Sequence, residues 1–198
     1  IDVRFIEIMP IGYGADMERI SPAVALNLLK DNPNAVLCVS GCWSQIAPEA
    51  AREIGARVVF GTGDTLGFVE AIEAAVKGGG EQLSIPDNRE KRPYQSLPAG
   101  AYAGHARAYL KIEDGCDNYC AYCIIPYARG HVRSLPVSEC AEQYAALAAQ
   151  GYREIVLTGI EIASYGRDLE GVTLMDALEA MGKAAPAVRM HLGSLEPR

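Results

Sequence analysis

The sequence lacks the marks of a membrane or secreted protein. No apolar run approaches the roughly 20 residues that a membrane helix needs, and no basic-plus-apolar signal segment stands at the start. The six cysteines follow no regular disulfide framework, which favours a reducing compartment, and we expect a cytoplasmic location. The chain also lacks an initiator Met and opens within a strand-like run, so we expect it to be a fragment.

Positive charge is also scarce. The chain has 18 Lys and Arg against 25 Asp and Glu, which gives a net charge of −7. Because a protein that binds nucleic acid on its own is usually basic, any RNA contact is expected to be local or to lie outside this chain. With 198 residues, 49% hydrophobic and 22% charged, the composition predicts a packed core in one large or two small domains.

Short apolar runs alternate with helical patterns and predict an α/β fold. The predicted strands are 3–9, 35–39, 57–60, 107–112, 154–160 and 188–194. The predicted helices start at Pro22, Pro48, 65, 139 and after Thr173, with Ser21, Asp64, Ser138 and Thr173 as N-caps. Cys38 and Cys140 fall on buried faces of these elements and are expected in the core.

This pattern predicts two domains and a linker. A small parallel α/β domain is expected over 1–85, a Pro-rich linker over 86–104, and the first part of a parallel β/α barrel, about three strands long, over 105–198. In the linker, Arg89, Lys91, Arg92 and Tyr94 are either an RNA contact or a solvated segment.

Residues 109–134 contain the most informative cysteines of the chain. Cys116, Cys120 and Cys123 are separated by three and then two residues. Thiolates suit iron–sulfur clusters and zinc, and three of them leave one iron of a [4Fe–4S] cluster open to a substrate or cofactor. The adjacent Tyr122 can pack on a planar ligand. The spacing leaves open a zinc site completed by His131, or disulfides, although zinc usually shows paired C-x2-C knuckles.

Four ordered motifs carry a family resemblance. C-x3-C-x2-C with an aromatic before the third Cys resembles the radical S-adenosylmethionine signature, and KIEDGCDNYCAYCIIPYARGHVRS resembles the methylthiotransferase branch. VSGCWSQ, EIVLTGIEIASYGRD and RMHLGSLEP agree in order. The resemblance covers roughly residues 21–198 and is closest to the enzymes that methylthiolate N6-threonylcarbamoyladenosine in tRNA. Residues 1–20 are atypical, because RFIEIMPIGYGADM resembles a segment of the GTP-cyclising radical enzyme of molybdenum-cofactor synthesis.

The resemblance implies a chemistry and its partners. Cys116, Cys120 and Cys123 would hold a [4Fe–4S] cluster whose open iron binds S-adenosylmethionine, and reductive cleavage would give the radical that attacks C2 of the modified adenosine. The partners implied are a tRNA anticodon loop and an electron donor such as flavodoxin or ferredoxin. Cys42 would match a ligand of an auxiliary [4Fe–4S] cluster that supplies sulfur, but its two partner cysteines are not found. In isolation the chain is expected to have little or no turnover.

Residues at the ends of predicted strands are the other site candidates. The family pattern implies cofactor contacts from Gly159, Glu161, Ser194 and Glu196, and loop capping is the alternative. Arg129 and Arg133 can neutralise a substrate phosphate or carboxylate, or form surface ion pairs. Two rival functions remain open. One is another radical enzyme of this superfamily, acting in GTP cyclisation or ribosomal-protein methylthiolation, and the other is a non-catalytic zinc module.

Overall fold

The computed structural model describes residues 34–97 and 107–195. The chain divides into two compact units, residues 1–87 and 88–198. The predicted strand 3–9, the predicted helix beginning at Pro22, and residues His105 and Glu196 lie outside the described residues. Within the described ranges, no helix is both long enough and apolar enough to cross a membrane.

The first unit contains a three-stranded parallel sheet with the strand order β1-β2-β3. In register, Val58 of the central strand pairs with Cys38 on one side and Gln82 on the other. Helices connect the strands, as parallel pairing requires, so the predicted α/β class is confirmed. The elements in chain order are β1 (Cys38–Ser40), α1 (Cys42–Ile46), α2 (Pro48–Glu53), β2 (Val58–Phe60), α3 (Thr65–Val76) and β3 (Gln82–Ser84).

Local sequence signals account for most of this unit. Pro48 opens α2, where its missing N–H has no helical partner to lose. The Asp64 side chain caps α3 by accepting a hydrogen bond from the Gly67 N–H at 3.0 Å. The central strand β2 is buried along its whole length, and Phe60 packs on Phe68 of α3 with ring centroids 5.5 Å apart. The predicted helix and strand at these positions are therefore confirmed.

Two short elements of the first unit escape sequence analysis. Helix α1 follows Gly41 directly and has only five residues, too few to show a helical period. Strand β3 is largely exposed and has a single strongly apolar residue, Leu83.

Strand β1 begins at Cys38, three residues later than predicted. Cys38 is half-buried and packs against the core, as expected.

The second unit has a three-stranded parallel sheet and a two-stranded antiparallel sheet. The parallel strands have the order β4-β7-β8, and β5 pairs with β6. The elements are β4 (Ala108–Lys111), β5 (Glu113–Asp114), α4 (Ile125–Arg129), β6 (Arg133–Ser134), α5 (Val137–Ala149), β7 (Glu154–Thr158), a 3₁₀ turn (Ile162–Ser164), α6 (Leu174–Ala184) and β8 (Arg189–Leu192). All three predicted strands of this unit are therefore present.

Helices α5 and α6 cover one face of the parallel sheet. Along β4, Ala108 and Leu110 are buried while Tyr109 and Lys111 are exposed, the alternation of a strand with one covered face. The main core of the unit combines these strand residues with buried residues of the helices, including the predicted core residue Cys140. Because all three strands run in the same direction, their carboxyl ends share one edge of the sheet, where ligands usually bind.

The two helix starts of this unit differ in how well the sequence predicts them. Thr173 and Asp176 form the predicted capping box: the Asp176 N–H donates to the Thr173 hydroxyl at 3.4 Å, and the Thr173 N–H donates to the Asp176 carboxylate at 2.8 Å. The predicted cap Ser138 is wrong. Pro136 holds the N-cap position in an extended conformation, so α5 starts at Val137 and Ser138 already lies inside it.

Residues 88–96, part of the predicted linker, pack onto the second unit. The buried Asn88 side chain donates to the Ala128 carbonyl at 2.6 Å and to the Tyr127 carbonyl at 3.2 Å. The Tyr94 hydroxyl donates to the Lys111 carbonyl at 2.7 Å. The solvated alternative therefore does not hold at Tyr94, whose hydroxyl has a fixed partner, and Asn88 already belongs to the second unit.

Candidate functional site

The candidate site is the cluster loop, residues 115–124, which leaves the β4–β5 strand segment at the carboxyl end of the sheet. Gly115 has φ +84°, and a side chain there would collide with the His131 carbonyl, so only glycine fits. The Cys116 N–H donates to the Gly130 carbonyl at 3.0 Å. The start of the loop is thereby held against the chain that returns from it through α4.

The three predicted ligands lie in this loop at different depths. Cys116 is buried, Cys123 is half-buried and Cys120 is exposed, and none forms a disulfide. Burial raises the pKa of the Cys116 thiol, and a hydrogen bond from the Asn118 N–H opposes that increase. Over residues 34–97 and 107–195, no three metal-binding side chains are gathered around one point, so the loop must close for the three sulfurs to share a metal.

The donor set of the loop fits an iron–sulfur cluster in its chemistry. It offers three unpaired thiols, two of them accessible, on a loop of ten residues that hydrogen-bonds little to itself. The predicted zinc alternative fits less well. Nδ1 of His131 lies 2.7 Å from the Asp117 carboxylate, and Nε2 lies 3.2 Å from the Arg89 carbonyl. Each ring nitrogen already lies near an oxygen, so His131 would have to leave one of these two neighbours to bind a metal.

Aromatic residues flank the cysteines in sequence. Tyr122 is 92% exposed, so its ring is available to a planar ligand. Tyr119 and Tyr127 form an edge-to-face pair with ring centroids 5.6 Å apart. Tyr119 has a positive φ of 46°, a conformation that tyrosine rarely adopts. The loop therefore carries a local strain at the position just before Cys120.

The predicted substrate residues Arg129 and Arg133 have an internal partner. Both guanidinium groups pair with the buried Asp114 carboxylate, at 3.3 and 3.1 Å, and the Lys111 ammonium pairs with it at 2.9 Å. Burial acts to raise the pKa of Asp114, but the positive charges of Lys111, Arg129 and Arg133 outweigh it and lower that pKa to about 2. Arg133 is 4% exposed, so its pair with Asp114 is internal and not a surface ion pair, whereas the Arg129 side chain remains 20% exposed.

Glu113 is a buried residue of the site that sequence analysis missed. Its Oε2 accepts hydrogen bonds from the Ile160 N–H at 2.7 Å and the Glu161 N–H at 2.9 Å. Burial raises the pKa of Glu113 to about 7, although these two hydrogen bonds act to lower it. Buried residues alternate along β4, and that alternation would place Glu113 in solvent. No signal of period two could have found it.

The strand-end residues predicted to contact a cofactor have structural roles in this conformation. Gly159 makes room for Glu113, because an added Cβ would lie 2.5 Å from the Glu113 Oε2. The buried Glu161 carboxylate caps the 3₁₀ turn by accepting from the Ala163 N–H at 3.1 Å and the Ser164 hydroxyl at 3.0 Å. The Ser194 carbonyl accepts from the Ile162 N–H at 3.2 Å, which joins the ends of β7 and β8.

The remaining candidate, Cys42, lies in the first unit. It is the first residue of α1 and is 9% exposed. The neighbouring polar residues of VSGCWSQ serve the fold of that unit: the Ser44 hydroxyl donates to the Phe60 carbonyl at 2.6 Å, and the Gln45 side chain bonds to Thr62 and Pro86. Trp43 is 48% exposed, so it does not fill the core.

Comparison with known proteins adds the family. The family model of the radical SAM superfamily matches residues 110–192. The chain is 33% identical over 165 residues to the threonylcarbamoyladenosine tRNA methylthiotransferase of Thermotoga maritima, covering 83% of this chain and 37% of that protein. It is 35% identical over 156 residues to the tRNA-2-methylthio-N6-dimethylallyladenosine synthase of Thermotoga petrophila, covering 78% of this chain and 34% of that protein.

A third relative has a protein substrate in its name. The chain is 36% identical over 159 residues to the ribosomal protein uS12 methylthiotransferase of a Synechococcus strain, covering 78% of this chain and 34% of that protein. The chain thus spans about a third of the length of these relatives. The family uses [4Fe–4S] clusters and S-adenosylmethionine, which agrees with the three thiols of the cluster loop. The chain therefore contains a radical SAM domain and is similar over most of its length to radical SAM methylthiotransferases.

Proposed function

We propose that this chain forms the part of a tRNA methylthiotransferase that binds the cluster and S-adenosylmethionine. The observation that carries the proposal is the cluster loop, in which three cysteines without disulfides lie at the carboxyl end of a parallel β/α sheet. Cys116, Cys120 and Cys123 would hold a [4Fe–4S] cluster. When bound, that cluster supplies the electron that cleaves S-adenosylmethionine to a reactive radical.

The residues of the chain have separate tasks in this proposal. The Glu161 carboxylate, near the open side of the loop, accepts a hydrogen bond from the amino group of S-adenosylmethionine. Ser194, and Glu196 beyond the described residues, contact the ribose or the methionine part. Tyr122, 92% exposed, packs against a planar portion of the ligand. Arg129 and Arg133 hold Asp114 beside the loop, and Arg129, whose side chain is 20% exposed, is the one of the two that can also neutralise a substrate phosphate or carboxylate.

We propose N6-threonylcarbamoyladenosine beside the tRNA anticodon as the substrate. The support is the residue sequence of the motifs VSGCWSQ, GIEIASYG and GSLEP, together with the similarity to the Thermotoga maritima enzyme. A base in an anticodon loop is single-stranded and can be splayed into a pocket. The proposal includes a reduced flavodoxin or ferredoxin as the electron donor and the cytoplasm as the location. An auxiliary cluster at Cys42 needs ligands from outside the described residues.

Anaerobic reconstitution tests the cluster. We expect about four iron and four sulfide per chain, and loss of both when Cys116, Cys120 and Cys123 are replaced by serine. The matched control is Cys38→Ser, which removes a half-buried cysteine of the first unit and should leave the iron content unchanged. One zinc per chain in place of iron, or iron retained in the triple variant, would contradict the proposal.

Nucleoside analysis tests the substrate. The whole protein is expressed in cells that lack methylthiolated adenosines, and the tRNA nucleosides and ribosomal protein uS12 are examined by mass spectrometry. We expect a methylthio group on N6-threonylcarbamoyladenosine and on neither isopentenyladenosine nor uS12. A modification found on one of the other two targets would assign the protein to that substrate instead.

A further inference from the structure

Glu113 is a buried acid to which the proposed function assigns no task. Its side chain is 0% exposed. Oε2 accepts hydrogen bonds from two consecutive N–H groups, those of Ile160 and Glu161. Oε1 is buried and has no hydrogen-bond partner in the described residues. Burying a carboxyl group costs free energy when only one of its two oxygens has hydrogen-bond partners. The two hydrogen bonds to Oε2 are therefore expected to have a specific role.

These contacts join the segment that enters the cluster loop to the end of β7. Glu113 belongs to β5, directly before the loop, and Ile160 and Glu161 follow β7 after Gly159. The closeness of the two segments depends on Gly159. A Cβ at that position would lie 2.5 Å from Oε2 and 3.0 Å from the Glu113 Cβ. Glycine at position 159 therefore allows the Glu113 side chain to come this close to the backbone.

The Glu161 carboxylate continues the connection back to the loop. Its Oε2 lies 3.5 Å from the side-chain nitrogen of Asn118. The Asn118 N–H in turn donates to the Cys116 thiol. Glu113 thus fixes the backbone of Glu161, and the Glu161 side chain contacts the loop residue that bonds to Cys116.

We propose that Glu113 is a positioning residue that holds the Glu161 carboxylate in the orientation that binds the amino group of S-adenosylmethionine. This inference rests on the proposed function of Glu161. Without the acceptor at position 113, the part-buried Ile160 N–H and the buried Glu161 N–H lose their partner, and the turn that carries Glu161 rotates to find another. A displacement of about 1 Å is enough to weaken a charged hydrogen bond.

Two substitutions of matched size separate the acceptor from the charge. Glu113→Gln keeps an oxygen that accepts both N–H groups and removes the charge, whereas Glu113→Met keeps the volume and removes the acceptor. The whole protein is reconstituted anaerobically, and its iron content and its affinity for S-adenosylmethionine are measured by equilibrium dialysis. We expect Glu113→Met to weaken that affinity about tenfold with the iron content unchanged. Glu113→Gln should stay within about threefold of the unaltered protein.

The control for general destabilisation is Leu147→Ala, which opens a cavity in the core of the same unit at a buried residue of α5. It should lower the thermal stability and leave the affinity for S-adenosylmethionine unchanged. Exchange of the Ile160 and Glu161 amide protons gives a second readout. It should quicken in Glu113→Met and stay slow in Glu113→Gln. If Glu113→Met does not fold, Glu113→Asp takes its place, because a side chain one methylene shorter withdraws the acceptor.

Each outcome decides between the claims. Equal affinity in Glu113→Met and the unaltered protein overturns the positioning role, and so does an equal loss in Leu147→Ala. Loss of iron in Glu113→Met also overturns it, because the residue then supports the cluster loop and not Glu161. Failure of the unaltered protein to bind iron or S-adenosylmethionine is a separate result that overturns the proposed function itself.

Discussion

The Glu113 side chain packs directly against the backbone of Gly159 in the second unit. In the sequence, Gly159 precedes Glu161 and suggests a backbone that a ligand approaches closely. In the structure it is the Glu113 side chain that approaches it, with Oε2 2.5 Å from the position of an added Cβ. The two residues are 46 positions apart, so no local pattern connects them. Sequence analysis could find the glycine but not its neighbour.

The space at Gly159 predicts a cost for any added side chain. We expect Gly159→Ala to lower the free energy of unfolding by about 1–3 kcal/mol, because the methyl group overpacks against Glu113. Gly182→Ala is the matched control: Gly182 lies inside α6 with no atom within 4 Å of an added Cβ. It should raise the free energy of unfolding by about 0.5–1 kcal/mol through helix propensity. Urea unfolding measures both, and equal effects of the two changes would refute the crowding at Gly159.

Glu113 also predicts a dependence of stability on pH. Its pKa is raised by burial to about 7 from an ordinary value of 4.5, with the neighbouring carboxylates of Asp114 and Glu161 adding to the increase. The folded state therefore holds the proton more tightly than the unfolded state. The stability from this group is present below pH 4.5 and is lost as the pH rises through 7, a change of about 3 kcal/mol at most.

Glu113→Gln removes that titration. We expect the free energy of unfolding of the substituted chain to fall less between pH 4.5 and 8 than that of the unaltered chain, as measured by urea unfolding at each pH. Glu179→Gln is the control, because Glu179 is an exposed residue of α6 paired only with Lys183. Parallel curves for the unaltered chain and Glu113→Gln would show that Glu113 is charged at the same pH in both states.

The helices and strands show which elements a sequence specifies by itself. Strands β2, β4 and β7 and helices α3, α5 and α6 have enough apolar residues at one period to be recognised, and all six are present where expected within a few residues. Helix α1 and strand β3 are too short to show a period. These two elements form because of their tertiary contacts with the rest of the first unit, and a local sequence pattern does not specify such contacts.

Helix starts follow the same division. The capping box of α6 is local, since Thr173 and Asp176 bond to each other, and the sequence predicts it correctly. At α5 the sequence offers Ser138, but Pro136 holds the N-cap position in an extended conformation and the helix starts at Val137, one residue before the serine. Serine is usually a better N-cap than proline, but the backbone is already helical at Ser138, so its side chain cannot act as the cap.

These two residues make a matched pair for measurement. We expect Thr173→Ala to lower the free energy of unfolding by about 1 kcal/mol, because the Asp176 N–H loses its acceptor and the box is broken. Ser138→Ala should change it by less than about 0.5 kcal/mol, because the exposed hydroxyl caps nothing. Urea unfolding followed by circular dichroism tests both. A larger effect at Ser138 than at Thr173 would contradict the assigned N-cap of α5.

At the scale of the whole molecule, the sequence predicts the chemistry of a site better than it predicts which residues pair with one another. Spacing and resemblance predict Cys116, Cys120 and Cys123 as ligands and the strand-end residues as cofactor contacts, because each of these patterns lies within a short stretch of sequence. The internal pairing of Arg129 and Arg133 with Asp114 was not found, because an arginine after a cysteine loop looks the same whether its partner is substrate or protein. Residue type gives the chemistry of a site, and burial decides which residues remain available to a ligand.

Charge and coverage together predict what this chain does when separated from the rest of such an enzyme. It has a net charge of −7, and its conspicuous arginines beside the loop already pair with a buried carboxylate. Binding of tRNA depends on cations that neutralise phosphates, so the chain alone should hold RNA weakly.

The chain spans 37% of the Thermotoga maritima relative. We expect the isolated chain to take up the cluster and yet to give little or no methylthiolation, whereas the whole protein gives both. Iron content, tRNA retention at two salt concentrations and nucleoside mass spectrometry measure the three properties. Full turnover by the isolated chain would show that the residues that grip tRNA lie within these 198 positions.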